Sequence, residues 1–221
     1  MRQDLITLPN SHHPHSSAKS STKPSAKSHK PDVRQANPCP PCPTDVSTLD
    51  KGVYWLGVGL GSGLPRRAAG TWGTLGGLAM ALPVMVLSEW WLGSQGLFYA
   101  LTVGSVLVGN FICGRTSELM NVHDDPHIVW DEWAGMWIVL VPVASHLTTL
   151  MNDGKWRDGV LIVAIAFVLF RIFDIIKPFP IGWADKKVSG GFGIMLDDIL
   201  AGLMAIAAYM VMSYVWYGSF V

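Results

Sequence analysis

Five long apolar stretches in the last three quarters of the chain constrain its fold more than any other feature. They cover approximately residues 73–87, 97–112, 133–150, 160–176 and 199–217. A helix that crosses a bilayer needs about 20 mostly apolar residues, and the fourth and fifth stretches meet this directly. The first is short, and the first and third contain a proline, which a bundle tolerates when neighbouring helices satisfy the freed carbonyls. We therefore predict an all-α fold, a polytopic membrane helical bundle of about five apolar segments.

Composition supports this fold and excludes several classes of protein. The chain is 50% hydrophobic and only 14% charged, whereas a typical globular chain has about 25% charged residues. Its formal net charge is zero and it has no strongly basic domain, which disfavours nucleic acid as a partner. Three cysteines are too few for a disulfide-rich scaffold. A soluble all-α domain with unusually apolar helices stays open, although residues 160–170 contain no charge.

The first 50 residues differ from the rest, being rich in Ser, Pro, Lys and His and lacking an apolar run. Such a segment buries too little surface to offset its ordering entropy, so we predict a disordered tail over 1–50 and a membrane-embedded domain over 51–221. No hydrophobic stretch typical of a signal peptide occurs in it. Cys39 and Cys42 have the spacing of a redox or metal pair, and three histidines occur within 12–15. Without a second pair beside them, we interpret both features as parts of an inert linker.

The charges predict how the segments are oriented. If the five segments alternate, one side of the membrane receives Arg66, Arg67, Arg115, Arg171, Lys177, Lys186 and Lys187. The other side receives only Lys155 and Arg157. Because basic residues concentrate on the cytoplasmic side, the richer side and the N-terminus are predicted to face the cytoplasm. Nine of the twelve acidic residues after residue 50 are on that same side. Several adjoin apolar runs, where an ionised carboxylate is costly unless it is paired or bound to metal.

The first of four polar segments on this side is glycine-rich and directly precedes the first span. It covers residues 61–74. Backbone amides and arginines at a helix start suit an anion such as phosphate, so Arg66, Arg67, Gly70 and Thr71 are candidate phosphate-binding residues. The segment lacks the Gly-Lys-Ser/Thr ending of a P-loop.

The second polar segment, residues 123–132, leads into the third span and contains Asp131 and Glu132. Pro126 is predicted to begin the helix. Acids that complement the helix dipole explain some of this run, but not all of it. His123 at its start is a candidate proton donor to a leaving alkoxide, with a capping or surface role equally open.

The third and fourth polar segments flank the connection between the last two spans. Arg171, Asp174 and Lys177 recur every three residues and so occupy neighbouring positions on one helix flank. A self-neutralising pair of Arg171 and Asp174 is the structural alternative. Asp197 and Asp198 lie at the start of the fifth span.

Together these segments offer carboxylate oxygens from three helix ends and cations from two. Mg²⁺ prefers such oxygens, often one or two carboxylates plus a substrate phosphate. Zinc fits less well, because Cys113 is the only cysteine after residue 50. The pattern indicates metal-assisted phosphoryl chemistry, in which cations stabilise the developing charge.

The strings GTWGTLGG, VHDDPHIVWDEWAGMWI, FRIFDIIKPFPI and GGFGIMLDDILAG resemble the phosphatidylglycerophosphatase A family, over about residues 52–215. The resemblance implies a Mg²⁺-dependent lipid phosphatase of the inner membrane with a cytoplasmic active site. It would convert phosphatidylglycerophosphate, its phospholipid substrate, to phosphatidylglycerol and phosphate, the last step of phosphatidylglycerol synthesis. The chain departs from the family at Ala69, where a proline is usual, and at Arg66 and Arg67.

By that resemblance Asp131 and Glu132 match the family's W-D-E, and Asp174 its F-R-x-x-D. The pair Asp197 and Asp198 matches the two aspartates before A-G, and Arg171 and Lys177 match the flanking cations. As a hypothesis, Asp131, Glu132, Asp174 and Asp198 hold one or two Mg²⁺ ions. Asp197 then orients or deprotonates water, and the two cations hold the phosphate. Which carboxylate is the base stays open, as does a covalent phospho-enzyme.

Rival functions come from other classes. An ion-coupled transporter also places acids in membrane helices, usually near the midplane and within internal repeats. A CDP-alcohol phosphotransferase needs a D-G-x-x-A-R signature, which is absent here. A phosphatase for another membrane phosphate ester, and an assembly protein without chemistry, stay open.

Overall fold

The computed structural model describes residues 38–217, and every regular element in this range is helical. Eight α-helices and two short 3-10 turns follow one another along the described residues, so the predicted all-α fold is confirmed. The α-helices are α1 Thr48–Gly57, α2 Ala69–Leu92, α3 Gly96–Met120, α4 Trp130–Leu140, α5 Ala144–Asn152, α6 Trp156–Ile176, α7 Ile181–Lys187 and α8 Gly190–Tyr217.

Within residues 38–217, five helical segments are long and apolar enough to cross a membrane: α2, α3, α4 with α5, α6, and α8. The predicted number of spans is therefore confirmed. The first span is longer than the sequence predicts, since helix continues from Ala69 to Leu92 with Pro83 inside it. The third span is divided by a 3-10 turn, Val141–Val143, which places Pro142 where an α-helical hydrogen bond is already absent.

The helices pack around α8, which contacts α3, α4, α6 and α7. Large apolar side chains such as Phe98, Met136 and Phe170 fill the core. Other large apolar side chains, including Leu107 and Val160, are exposed on the outside of the bundle. Because a soluble protein would present this surface to water, the exposed apolar belt favours a lipid environment over the soluble alternative.

Short connections between consecutive spans make neighbouring helices antiparallel and give the bundle two ends. Only residues 93–95 join α2 to α3, and only residues 153–155 join α5 to α6. The starts of α2, α4 and α8 and the end of α6 therefore share one end, here called the site face. The ends of α2 and α5 and the start of α6 share the other, here called the opposite face.

Part of the segment assigned to the disordered tail is ordered against the bundle. Residues 1–37, which include the three histidines of 12–15, lie outside the described residues. In 38–50, however, Cys39 Sγ lies 3.4 Å from the hydroxyl of Tyr54, which donates a hydrogen bond to the Pro40 carbonyl. Helix α1 already begins at Thr48, so the predicted boundary at residue 50 falls inside it. Burial raises the pKa of the Cys39 thiol, which disfavours the reactive thiolate.

Candidate active site

Five carboxylate side chains come together at the site face. Asp131 and Glu132 lie in the first turn of α4, Asp174 lies near the end of α6, and Asp197 and Asp198 lie in α8. Asp198 is only 3% exposed and interacts electrostatically with the other four. The three helix ends thus form one acidic site, which includes every residue the sequence assigns to metal binding.

Arg171 joins three of the helices that build this site. Its Nη1 lies 3.1 Å from Glu132 Oε1 and 2.6 Å from Asp174 Oδ2, and it donates to Thr74 Oγ1 at 3.2 Å. The intrahelical pair with Asp174, which the sequence leaves open, is therefore present. It is one contact of a larger set, the Arg171 network, which consists of Arg171, Thr74, Glu132 and Asp174.

Lys177 organises a second set of contacts, the Lys177 network, with Asp185 and Asp197. Lys177 follows the last residue of α6 in the left-handed conformation, with φ of 46°, and so leaves the helix flank that its spacing predicts. Its Nζ donates to Asp185 Oδ1 at 2.7 Å and to Asp197 Oδ2 at 2.5 Å. Burial alone lowers the pKa of Lys177, but these two hydrogen bonds outweigh it and hold the pKa above its usual range.

The glycine-rich segment before and within α2 makes room for the acidic site. A Cβ added at Gly70 would collide with Glu132 Oε1, and one at Gly73 would collide with Glu132 Oε2. Glycine at these positions lets the backbone of α2 lie directly against the carboxylate. Thr71 follows in the same helical turn, while Arg66 and Arg67 are exposed in the loop before it. All four predicted phosphate-binding residues therefore belong to the segment that borders Glu132.

The loop over residues 121–129 differs from its prediction. Pro126 does not begin a helix, because α4 starts only at Trp130. The chain is held in a turn by Asp125 Oδ1, which accepts the backbone N–H of His127 at 3.0 Å. It is also held by Val129 N–H, which donates to the Gly57 carbonyl of α1 at 2.8 Å.

His123 is exposed in this loop, where its Nε2 accepts the backbone N–H of Gly190 at 3.2 Å. This contact joins the loop to the first residue of α8. An accepting Nε2 carries no proton in this arrangement, so the observed contact positions the loop, and a role as proton donor stays a prediction.

The carboxylates suit a hard cation in chemistry and burial. Five acids face two cations, Arg171 and Lys177, and two buried oxygens, Glu132 Oε2 and Asp197 Oδ1, have no hydrogen-bond partner in the part of the chain that the structure describes. Buried charged oxygens without a partner are costly unless something binds them, and Mg²⁺ binds carboxylate oxygen. Among the described residues, no three acidic, His or Cys side chains are already arranged around one point as metal ligands. The site thus matches Mg²⁺ in the chemistry of its carboxylate oxygens, not in a preformed ligand geometry.

Sequence reasoning did not single out three residues of this site: Thr74, Gly73 and Asp185. Thr74 lies four residues after Gly70, one helical turn further along the face that meets Glu132, which is a signal available in the sequence. Asp185 contacts Lys177 only because the chain reverses between α6 and α7. No spacing rule within one helix points to that contact.

Comparison with known proteins gives a consistent result. The family model described as phosphatidylglycerophosphatase A matches residues 55–213. The phosphatidylglycerophosphatase A of Haemophilus influenzae is 40% identical over 162 residues, covering 73% of this chain and 89% of that protein. The Escherichia coli K12 protein of the same name is 39% identical over 164 residues, covering 74% and 84%.

A Bacteroides thetaiotaomicron protein, provisionally named a phosphatidylinositol-3-phosphatase, is 32% identical over 164 residues, covering 71% of this chain and 93% of its own. No solved structure matches the chain. The five carboxylates, Arg171 and Lys177 all lie inside the range that the family model matches.

Proposed function

Because the chain belongs to the phosphatidylglycerophosphatase A family, we propose that it hydrolyses the phosphate monoester of phosphatidylglycerophosphate. The products are phosphatidylglycerol and inorganic phosphate. The observation that supports this most strongly is the acidic site itself, five carboxylates gathered with Arg171 and Lys177 at one end of a membrane bundle. Such a site, at the level where helices leave the bilayer, is within reach of the headgroup of a lipid that stays in the membrane.

In this proposal the two cations bind the phosphate and stabilise the charge that develops on it. Lys177 Nζ bridges two carboxylates and is partly exposed, so it is able to exchange one of them for a phosphate oxygen. Arg66, Arg67, Gly70 and Thr71 border the site on α2 and its preceding loop, where they contact the same phosphate or the rest of the headgroup.

Asp197 is the carboxylate best placed to take a proton from the attacking water. Its Oδ2 accepts a hydrogen bond from Lys177, while its Oδ1 is buried and has no hydrogen-bond partner among the described residues. A base needs one oxygen fixed for orientation and another free to accept. His123 remains our candidate for protonating the leaving alkoxide, which requires its Nε2 to release the N–H of Gly190.

We propose Mg²⁺ as the cofactor, with Asp131, Glu132, Asp174 and Asp198 as the residues that would hold it. Bound there, the ion would supply Lewis-acid charge to the phosphate. Glu132 Oε2, buried and unpartnered between α2 and α4, is the oxygen that supports this assignment most directly.

We place the protein in the inner membrane, with the site face and the N-terminus in the cytoplasm. Seven basic residues in or beside the connections of the site face, against two in or beside those of the opposite face, support this orientation. In this setting the reaction is the last step of phosphatidylglycerol synthesis.

A second candidate is a phosphatase that acts on another membrane phosphate ester. The relative from Bacteroides thetaiotaomicron, whose name specifies a phosphoinositide, is the observation that favours it. The acidic site would serve either lipid, because both offer a phosphate monoester, and the contacts to the rest of the headgroup would distinguish them.

The test measures phosphate release from phosphatidylglycerophosphate and from phosphatidylinositol 3-phosphate in detergent, with Mg²⁺ and with a chelator. We expect release from the first lipid only, and only with Mg²⁺. Asp174→Asn and Asp198→Asn should each lower the rate at least about a hundredfold, the scale on which one electrostatic stabiliser acts. Asp158→Asn, which removes an acid from the opposite face, should leave the rate unchanged.

Each other outcome has a definite meaning. Phosphate released faster from the phosphoinositide would establish the second candidate instead. Full activity in the presence of the chelator would refute the Mg²⁺ assignment, and near wild-type turnover by Asp174→Asn would refute the role of that carboxylate.

A further inference from the structure

A cavity of about 520 Å³ opens at the opposite face, far from the acidic site. It lies where α2 and α5 end and α6 begins. Its walls include the carboxylate of Glu89, the indoles of Trp90 and Trp156, and the polar side chains of Thr148 and Asn152. Its volume is within the range of about 300–1,000 Å³ that is typical of small-ligand sites.

The carboxylate in this cavity is held in place by a buried amide. Gln95 is 2% exposed, and its Nε2 donates to Glu89 Oε2 at 2.8 Å and to the Met85 carbonyl at 3.3 Å. The same nitrogen lies 3.4 Å from Thr148 Oγ1, a second residue of the cavity wall. Since a buried amide fixes its orientation, Glu89 is a preorganised anion at the rim of the bundle.

Glu89 has no basic partner within ion-pair distance among the described residues, whereas three of the five site-face carboxylates, Glu132, Asp174 and Asp197, pair with Arg171 or Lys177. Lys155, a nearby cation in the connection between α5 and α6, lies against Asp153 at 3.6 Å. An oriented carboxylate without a cation of its own is suited to binding one from outside the chain.

The two indoles determine which kind of cation fits. Trp90 and Trp156 are both exposed and line the same cavity as Glu89. Indole faces attract organic ammonium groups through cation–π interaction. A single carboxylate among aromatic rings is a poor site for Ca²⁺ or Mg²⁺, which need several oxygen ligands. The lining therefore selects an alkylammonium group.

The depth of the cavity indicates where that group comes from. Three membrane-crossing helices begin or end at its walls, so it lies at the level of the lipid headgroups, where Trp is enriched. We propose that this cavity binds the ammonium headgroup of a zwitterionic phospholipid, with Glu89 as the counter-ion and Trp90 and Trp156 as the aromatic wall. The bundle would then contact an anionic lipid at its site face and a zwitterionic one at the opposite face.

Native mass spectrometry of the full chain tests this proposal. The protein in detergent is mixed with equal amounts of phosphatidylethanolamine, phosphatidylcholine and phosphatidylmethanol that carry the same acyl chains; phosphatidylmethanol has no ammonium group and is neither substrate nor product of the proposed reaction. We expect the two ammonium lipids to form at least about fivefold more adduct than phosphatidylmethanol, since about 1 kcal/mol of cation–π and ionic preference corresponds to that ratio. Glu89→Gln should remove the preference while keeping an oxygen that accepts from Gln95.

Asp158→Asn is the matched control, because it removes the same charge from the same face, outside this cavity. It should keep the preference, and Trp156→Leu should weaken it. Equal adducts of all three lipids with the wild type, an unchanged preference in Glu89→Gln, or an equal loss in Asp158→Asn would each overturn the proposal. A preference for the two ammonium lipids that depends on Glu89 supports it, whichever of the two binds better.

Discussion

The two cations of the acidic site are held in different ways. The side chain of Arg171 is 14% exposed and contacts three helices through Thr74, Glu132 and Asp174. The side chain of Lys177 is 31% exposed, follows the end of its helix, and contacts only two carboxylates. One cation is built into the packing of the bundle, and the other lies at its rim.

This difference indicates a division of labour between the Arg171 network and the Lys177 network. A buried planar guanidinium with several fixed acceptors cannot be moved without leaving charge uncompensated. An ammonium on a flexible stem exchanges one oxygen partner for another at small cost. We infer that Arg171, besides binding the phosphate, fixes the geometry of Glu132 and Asp174, while Lys177 is the cation that changes partners as the phosphate reacts.

The substitution that breaks this comparison most severely is Arg171→Lys. A lysine keeps the charge but cannot reach Thr74, Glu132 and Asp174 together, so a buried carboxylate loses its partner. Breaking a buried ion pair in this way costs about 3–5 kcal/mol. If the reacting site bears that cost, kcat/KM should fall about a thousandfold. The converse change, Lys177→Arg, should lower kcat/KM only about tenfold, because the partly exposed rim of the site has room for a longer side chain.

Phosphate-release kinetics of both variants, with the thermal unfolding midpoint as a control for folding, check this prediction. Equal losses of kcat/KM in the two variants would show that both cations are fixed in place and would contradict the proposed difference between them. A larger loss in Lys177→Arg would mean that Lys177 is the more rigidly held cation.

The next largest effect separates the two partners of Lys177. Asp197 is mostly buried and has a free oxygen in the site, whereas Asp185 lies on α7 and is 33% exposed. If Asp197 is the base, Asp197→Asn should lower kcat about a hundredfold, the lower range for loss of a general base. Asp185→Asn should lower it by no more than about threefold, as expected for an exposed ion pair.

The pair of variants is its own control, since each removes one carboxylate from the same ammonium. Steady-state kcat and KM for phosphatidylglycerophosphate distinguish them. Similar losses in both would mean that Asp197 acts only by holding Lys177, and a different carboxylate would then be the base.

The spans and the acidic site were accessible from the sequence because both depend on simple geometry. Apolar length gives the spans, and alternation of antiparallel helices then brings the start of α4, the end of α6 and the start of α8 to one end. Asp131, Asp174 and Asp198 are close in space for that reason alone. Glycine at 70 and 73 was visible as a motif, but its steric role against Glu132 was not.

What the sequence did not give depends on tertiary contacts between distant segments. Helix α4 starts at Trp130 rather than at Pro126, because Val129 is bonded to Gly57 and Asp125 closes a turn. Residues 38–50 are ordered because Tyr54 offers a partner to Pro40. A polar, proline-rich composition predicts disorder correctly only when no such partner exists on the body of the protein.

The smallest effect sharpens the comparison from within the Arg171 network. Thr74 donates to the Gly70 carbonyl at 2.9 Å and accepts from Arg171, so Thr74→Val removes one acceptor from the guanidinium without changing the shape of the side chain. One hydrogen bond to a charged group contributes about 1.5–3 kcal/mol, and because Arg171 keeps both carboxylate partners we expect the lower end, a fall in kcat/KM of about tenfold. Thr102→Val is the matched control, since the buried Thr102 bonds a carbonyl of its own helix in the same way but has no cation beside it. Thr74→Ser should retain nearly full activity. If Thr74→Val instead lowered kcat/KM as much as Arg171→Lys, the orientation of the guanidinium would depend on this one hydroxyl. The contacts with Glu132 and Asp174 would then not be what holds Arg171 in place.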